Sequence, residues 1–162
     1  MKLLYAVPVI ISLFYITNKL SYCYLKQKVL KRQKWDLNIC CGKTDGGGIN
    51  ADIYKHDSVP NFILTENIYD LPFKDKQFKS VLCSHTIEHV EDPSRFFDEL
   101  NRVGEKVVLV IPPLWDISAV FNALEHRWIF LSFKKEHESL PWHIKLPFSE
   151  TVHNYFGQKI RS

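Results

Sequence analysis

Residues able to do chemistry gather in two short stretches. The first is Leu37 to Ile53, with Cys40-Cys41-Gly42, a glycine run at 46–48 and Asp52. A glycine turn leaving a strand lets ligand atoms approach the backbone, and an acid closing the next strand can accept hydrogen bonds from both hydroxyls of a ribose. The same residues also suit a plain loop with a capping aspartate. The second stretch, Ser84-His85-Thr86-Ile87-Glu88-His89, holds a His-x-x-Glu-His pattern. On a helix this pattern would place two imidazoles and a carboxylate on one face, as zinc sites require. Here it follows a strand directly and no distal acidic ligand is evident, so no metal is expected. His85 is a candidate general base, because a neutral imidazole near pH 7 can take a proton from a hydroxyl. The alternative is a hydrogen-bonded histidine that shapes a pocket floor. Cys23, Cys40, Cys41 and Cys83 show no Cys-x-x-Cys spacing. They are expected to be buried free thiols in a reducing compartment, rather than disulfides, zinc ligands or nucleophiles.

These stretches must be held by the elements around them. Past Trp35, five β-like runs are expected: Leu37–Cys41, Ile49–Ile53, Asn61–Thr65, Phe78–Ser84 and Val107–Ile111. The last is apolar throughout and closed by Pro112-Pro113, as a strand covered on both faces requires. Between the fourth and fifth, Asp92 can cap a helix with Pro93 in its first position, and Gly104 can stop it. Phe96, Phe97, Leu100 and Val103 fall on one face of that helix. Arg95/Glu99 and Asp98/Arg102, spaced four apart, are expected outside. Strand, crossover helix and strand together predict an α/β doubly wound, mostly parallel sheet. Beyond Pro113 the chain is rich in tryptophan and histidine, including Trp128, His126, His137 and His143. That region is expected to close the sheet with one or two antiparallel strands around residues 128–133.

Charge divides the chain in two. Of 21 Lys and Arg, seven lie in residues 1–35, which hold no Asp or Glu; the rest carries 14 basic against 18 acidic residues. A mildly acidic body excludes a nucleic-acid-binding face, which would need clustered cations. From Leu3 to Thr17 the chain is uncharged and largely apolar, and no small-x-small cleavage site follows. Extended through Leu25 with Lys19 snorkelling, this run reads as a single-pass membrane anchor, the basic residues after it placing the body on the cytoplasmic side. A buried or interfacial helix is the alternative. The expected organisation is an anchor and basic juxtamembrane segment over 1–35, then one domain over 36–162.

Several motifs in order then carry a family resemblance. Leu71-Pro72-Phe73, Asp75 and Phe78 form a turn into a strand; His85, Glu88-His89-Val90, Asp92-Pro93 and Arg102-Val103 follow at consistent spacing. Over about residues 37–113 the sequence resembles class I S-adenosylmethionine-dependent methyltransferases of the methyltransferase type 11 kind. The first stretch looks like a variant of that family's opening motif, with Cys40 where a glycine is usual. The resemblance implies S-adenosylmethionine as cofactor and a Rossmann-like fold shortened at the C-terminus. Cys40, Cys41 and Gly42 would pass the methionine part, and Asp52 would hold the ribose. Asn67 and the Ile68 backbone would meet the adenine; Ser84 and His85 would border the methyl group and the acceptor. The implied activity is methyl transfer to a small-molecule or lipid-like acceptor at the membrane face, the alternative being a non-catalytic binding module of the same fold.

Overall fold

The computed structural model describes residues 2–56 and 58–159, with residues 2–6 described by backbone alone. A six-stranded sheet organises the body. β1 (Trp35–Ile39), β2 (Gly47–Asp52), β3 (Phe62–Leu64), β4 (Phe78–Ser84) and β5 (Gly104–Val110) run parallel. β7 (Glu136–His137) adds antiparallel to β5, giving the order β3-β2-β1-β4-β5-β7. The order reverses between β1 and β4, where parallel sheets open a crevice at their carboxyl ends. Register sets that edge: Ile39 pairs with Ala51 and with Cys83, so Cys40, Asp52 and Ser84 stand one step further along, side by side.

β5 is apolar because both its faces are covered. Val107 and Leu109 join Leu37, Ile39, Val81, Phe96, Leu100 and Val103 beneath α3 (Pro93–Val103). Val108 and Val110 turn to the other face, where Val29, Leu30 and Trp35 meet them and Leu82. That second cover is α2 (Lys26–Leu30), so residues assigned by sequence to a juxtamembrane segment are core of the body. Trp35 is fully buried and donates its indole N–H to the Leu30 carbonyl.

The N-terminal reading is corrected accordingly. α1 (Lys2–Lys19) leads into a π-helical turn, Leu20–Leu25, and then α2. That turn does not lengthen an apolar span; it is docked on the body. Ser21 is fully buried and accepts from Lys135 Nζ at 2.9 Å, while Asn18 Nδ2 reaches Asp116 Oδ1 at 3.3 Å. What remains of the apolar run is one 18-residue helix, which rises about 27 Å. Among the described residues, no helix is long and apolar enough to cross a membrane.

α3 starts as expected, with Asp92 Oδ1 accepting from the Arg95 N–H at 3.0 Å. Its outer charges differ from expectation. Glu99 is buried and takes the Leu71 N–H at 2.6 Å. Arg102 donates to Glu99 and Asp75 and to the carbonyls of Leu71 and Phe73, rather than pairing with Asp98. The spacing rule lost to a buried turn whose carbonyls needed donors. Gly104 ends the helix and begins β5 at once; a Cβ there would lie 2.5 Å from Val81 Cγ2.

The expected closing strand around residues 128–133 does not join the main sheet. Instead β6 (Trp128–Phe130) pairs with β8 (His143–Lys145) in a separate two-stranded sheet. The Glu88 carbonyl draws β6 away from the edge, accepting from the Arg127 and Trp128 N–H groups at 2.8 and 3.2 Å. Two short helices, α4 (Ile117–Val120) and α5 (Ser149–Phe156), complete this part.

Candidate active site

A cleft of about 850 Å³ opens beyond the carboxyl ends of β1, β2 and β4. Cys40, Cys41, Gly42, Asp52, Ile68, Ser84 and His85 all line it. Asn67 does not. It is exposed, and its Oδ1 accepts from the Tyr69 N–H at 2.9 Å, closing its own turn. An Asx turn satisfies that oxygen locally, which the family position alone could not foretell.

The glycine run at 46–48 is also absent from the lining. It exists for strand packing: a Cβ on Gly48 would fall 2.3 Å from the Trp35 carbonyl of β1. Among the described residues, the glycine that lines the cleft is Gly42. Its N–H donates to Asp52 Oδ2 at 2.8 Å, and the Tyr54 N–H donates to Oδ1 at 3.2 Å. Asp52 is 7% exposed, so these contacts hold a nearly buried carboxylate facing the cleft with acceptor sites to spare.

Cys40 takes the left-handed conformation, φ 51°, which costs a non-glycine residue about 1 kcal/mol. Its side chain packs against the central apolar cluster. Burial pushes its thiol well up, with Cys83 and Asp52 adding to the effect. Burial pushes Cys41 up to about 12 and Cys83 upward as well. All three are protonated at neutral pH and poor nucleophiles. Cys23, unlike these, is exposed.

His85 also has a positive φ, 55°. Its Nε2 lies 2.6 Å from Lys135 Nζ and its Nδ1 lies 3.2 Å from Glu88 Oε1. An ammonium can only donate, so Nε2 accepts and Nδ1 carries the proton toward the carboxylate. Burial lowers the imidazole to about 4, against the pull of Glu88. Burial alone would raise Glu88, but His85 and the neighbouring histidines hold it well below the usual carboxylate range. Both ring nitrogens of His85 face protein partners, Lys135 and Glu88. Lys135 and Tyr22, which stacks edge-on to His85 with centroids 5.3 Å apart, were not foreseen. Neither lies in a recognisable motif, and only the docking of the N-terminal turn brings Tyr22 there.

The residues present fit an adenosyl cofactor. The volume lies within the usual ligand-pocket range of roughly 300–1,000 Å³, a carboxylate and a side-chain-free turn share one wall, and Ser84 Oγ is buried with no hydrogen-bond partner among the described residues.

Residues 49–109 match the family described as "Methyltransferase domain". Over that stretch, from β2 to β5, the chain is similar to methyltransferase domains. The cofactor of such a domain is S-adenosylmethionine. A possible histamine N-methyltransferase from Thermotoga maritima is 21% identical, with 62% of this chain and 56% of that one covered and a TM-score of 0.47. A methyltransferase dependent on the same cofactor from Aquifex aeolicus is 15% identical over 59% of this chain and 68% of that one, with a TM-score of 0.42. The chain thus spans little more than half the length of the first of these. No curated protein matches the sequence.

Proposed function

We propose that the protein transfers the methyl group of S-adenosylmethionine to a lipid-like acceptor at a membrane surface. The observation that carries the transferase reading is the meeting of Gly42 and Asp52 on one wall of the cleft, 2.8 Å apart. When bound, the cofactor supplies an electrophilic methyl on a sulfonium, already reactive without further activation. The protein's part is therefore chiefly positioning and exclusion of water. Asp52 would accept from the ribose hydroxyls. Gly42 would leave room for the methionine part, since the Cys40 side chain turns to the core. Ile68 and Tyr69, which line the cleft, would hold the adenine end. Ser84 offers its unpaired hydroxyl near the reacting end, and His85, held neutral by burial, closes the floor beneath it.

The acceptor class is inferred from the cleft's surroundings. Asn18, Tyr22 and Lys26 form one wall, and they continue directly from α1. α1 exposes Val9, Ile11 and Ile16 by 60% or more. Such an apolar helix, followed by the exposed Lys28, Lys31 and Lys34, suits attachment to an anionic lipid surface, with the body on the cytoplasmic side. A molecule half-embedded there would reach the cleft along that wall.

The non-catalytic alternative draws on Asn67, which lies outside the cleft. Titration calorimetry of the full chain in lipid nanodiscs with S-adenosylhomocysteine tests the reading. One equivalent should bind, and the Asp52→Asn variant should bind much more weakly. No heat from a folded sample at high micromolar ligand would refute the transferase reading; binding without methylation of any lipid extract would favour the alternative.

A further inference from the structure

Two cleft-lining histidines, His89 and His126, meet a buried carboxylate behind the cleft wall, Glu88, in a cluster that methyl transfer by positioning does not use. Glu88 is 1% exposed; His85 Nδ1 stands 3.2 Å from its Oε1 but outside hydrogen-bonding geometry, and Oε2 has no donor among the described residues. A buried carboxylate without donors is costly unless a cation answers it. Its neighbours are His89, which follows it in the chain, and His126, which arrives from the turn after α4. One ligand atom from each of Glu88, His89 and His126 lies within 4.8 Å of the others.

The histidines are prepared as ligands. His89 Nδ1 lies 2.9 Å from the Glu125 carbonyl oxygen. A carbonyl only accepts, so Nδ1 carries the proton and Nε2 presents its lone pair, the arrangement that outer contacts impose on metal-bound imidazole. His126 stands edge-on to His89, with ring centroids 4.8 Å apart. The backbone locks the two halves together. The Arg127 N–H donates to the Glu88 carbonyl, and Gln158 Nε2 donates to the carbonyls of both His89 and Glu125 at 2.8 Å.

We propose that Glu88, His89 and His126 form a binding site for a divalent transition-metal ion, zinc by preference, with its open coordination positions facing the methyl-acceptor side of the cleft. Two imidazoles and a carboxylate are a donor set that zinc takes, at about 2.0–2.2 Å per ligand. Bringing the three donors to tetrahedral spacing needs the rings to swing inward by roughly 1 Å. His89 and His126 line the cleft with Ser84 and His85, so the ion sits next to the reacting end. The His-x-x-Glu-His pattern has no distal acidic ligand in the sequence; the fold supplies a distal histidine instead, His126 from a separate turn.

The ion's use deepens the transferase reading and rests on it: it would hold an acceptor through an oxygen. The acceptor's O–H proton leaves to solvent, its oxygen forms the new C–O bond, and the methyl–sulfur bond breaks with its electron pair on sulfur. A hydroxyl- or phenol-bearing acceptor is therefore favoured over an amine.

The full chain, stripped with chelator and refilled with Co²⁺, gives a direct readout in the visible ligand-field bands. One equivalent should bind and be displaced by Zn²⁺. Glu88→Gln, which keeps the shape, and His126→Ala should each weaken binding by more than the roughly 10–100-fold that losing a supporting outer contact costs. Cys23→Ser should change nothing. Absence of stoichiometric binding to folded wild type, or equal binding by both ligand variants, would overturn the site. Metal binding that persists while S-adenosylhomocysteine fails to bind would refute the transferase reading and leave the metal site standing.

Discussion

Under the proposed reading, single residues set how tightly the cleft holds its ligand. Asp52 is the clearest case, since its carboxylate is oriented by two backbone N–H groups before any ligand arrives. Asp52→Asn keeps one acceptor oxygen but loses the charge, so affinity for S-adenosylhomocysteine should fall about tenfold to a hundredfold in calorimetry, with thermal unfolding little changed. Lys135 gives a pH signature. Burial lowers its ammonium to about 8, and Glu88, Asp116 and Lys26 act on it along with the contacts to His85 and Ser21. A lysine whose folded value lies below its unfolded value binds fewer protons when folded. Stability therefore rises with pH from about 8 up to the ordinary lysine range. Comparing urea unfolding of wild type and Lys135→Met at about pH 7 and 9.5, the difference should move in the wild type's favour at the higher pH. A pH-independent difference would mean that the amine does not titrate in that window.

At the scale of elements, junctions matter more than interiors. α3 passes into β5 without a loop because Gly104 lets the helix end rest on Val81. Gly104→Ala should cost about 1–3 kcal/mol in denaturant midpoints, as overpacking does, without altering the cleft. The strands and α3 were largely legible in the sequence, since apolar runs and an Asp-Pro start report local physics. β4 and α3 fall where the pattern put them, and β5 starts three residues early because Gly104 pairs with Phe78. The partner of Arg102 was not legible. Spacing proposed Asp98, whereas the Leu71–Asp75 turn, distant in sequence, offered buried acceptors. Similarly, β6 left the sheet edge because the Glu88 backbone claimed it, a contact no periodicity encodes.

For the whole molecule, the N-terminal segment serves two tasks that the sequence merged into one. Val29 and Leu30 of α2 complete the core under the sheet, whereas α1 projects apolar surface at Val9, Ile11 and Ile16. Deleting residues 1–16 should leave thermal unfolding close to that of the full chain, whereas deleting residues 1–34 should lower it steeply or prevent folding, because losing Val29 and Leu30 leaves Leu82, Val108 and Val110 uncovered. The full chain should co-sediment with anionic vesicles in a salt-sensitive way, and Ile11→Glu should weaken that binding; equal binding to neutral vesicles would remove the electrostatic part of the reading.

The sequence by itself determined the alternation of strands and helix, the motif order from Leu71 to Val103 and the wall built from Gly42 and Asp52. Each depends on residues close in the chain, or on a register that apolar patterning fixes. Only the tertiary structure decided which groups face one another: His85 against Lys135, Asn67 away from the cleft, His126 beside Glu88. These are meetings between residues far apart in the chain, or a choice between a local turn and a ligand. Packing geometry settles such choices, because a buried polar group takes whichever partner the fold brings within reach.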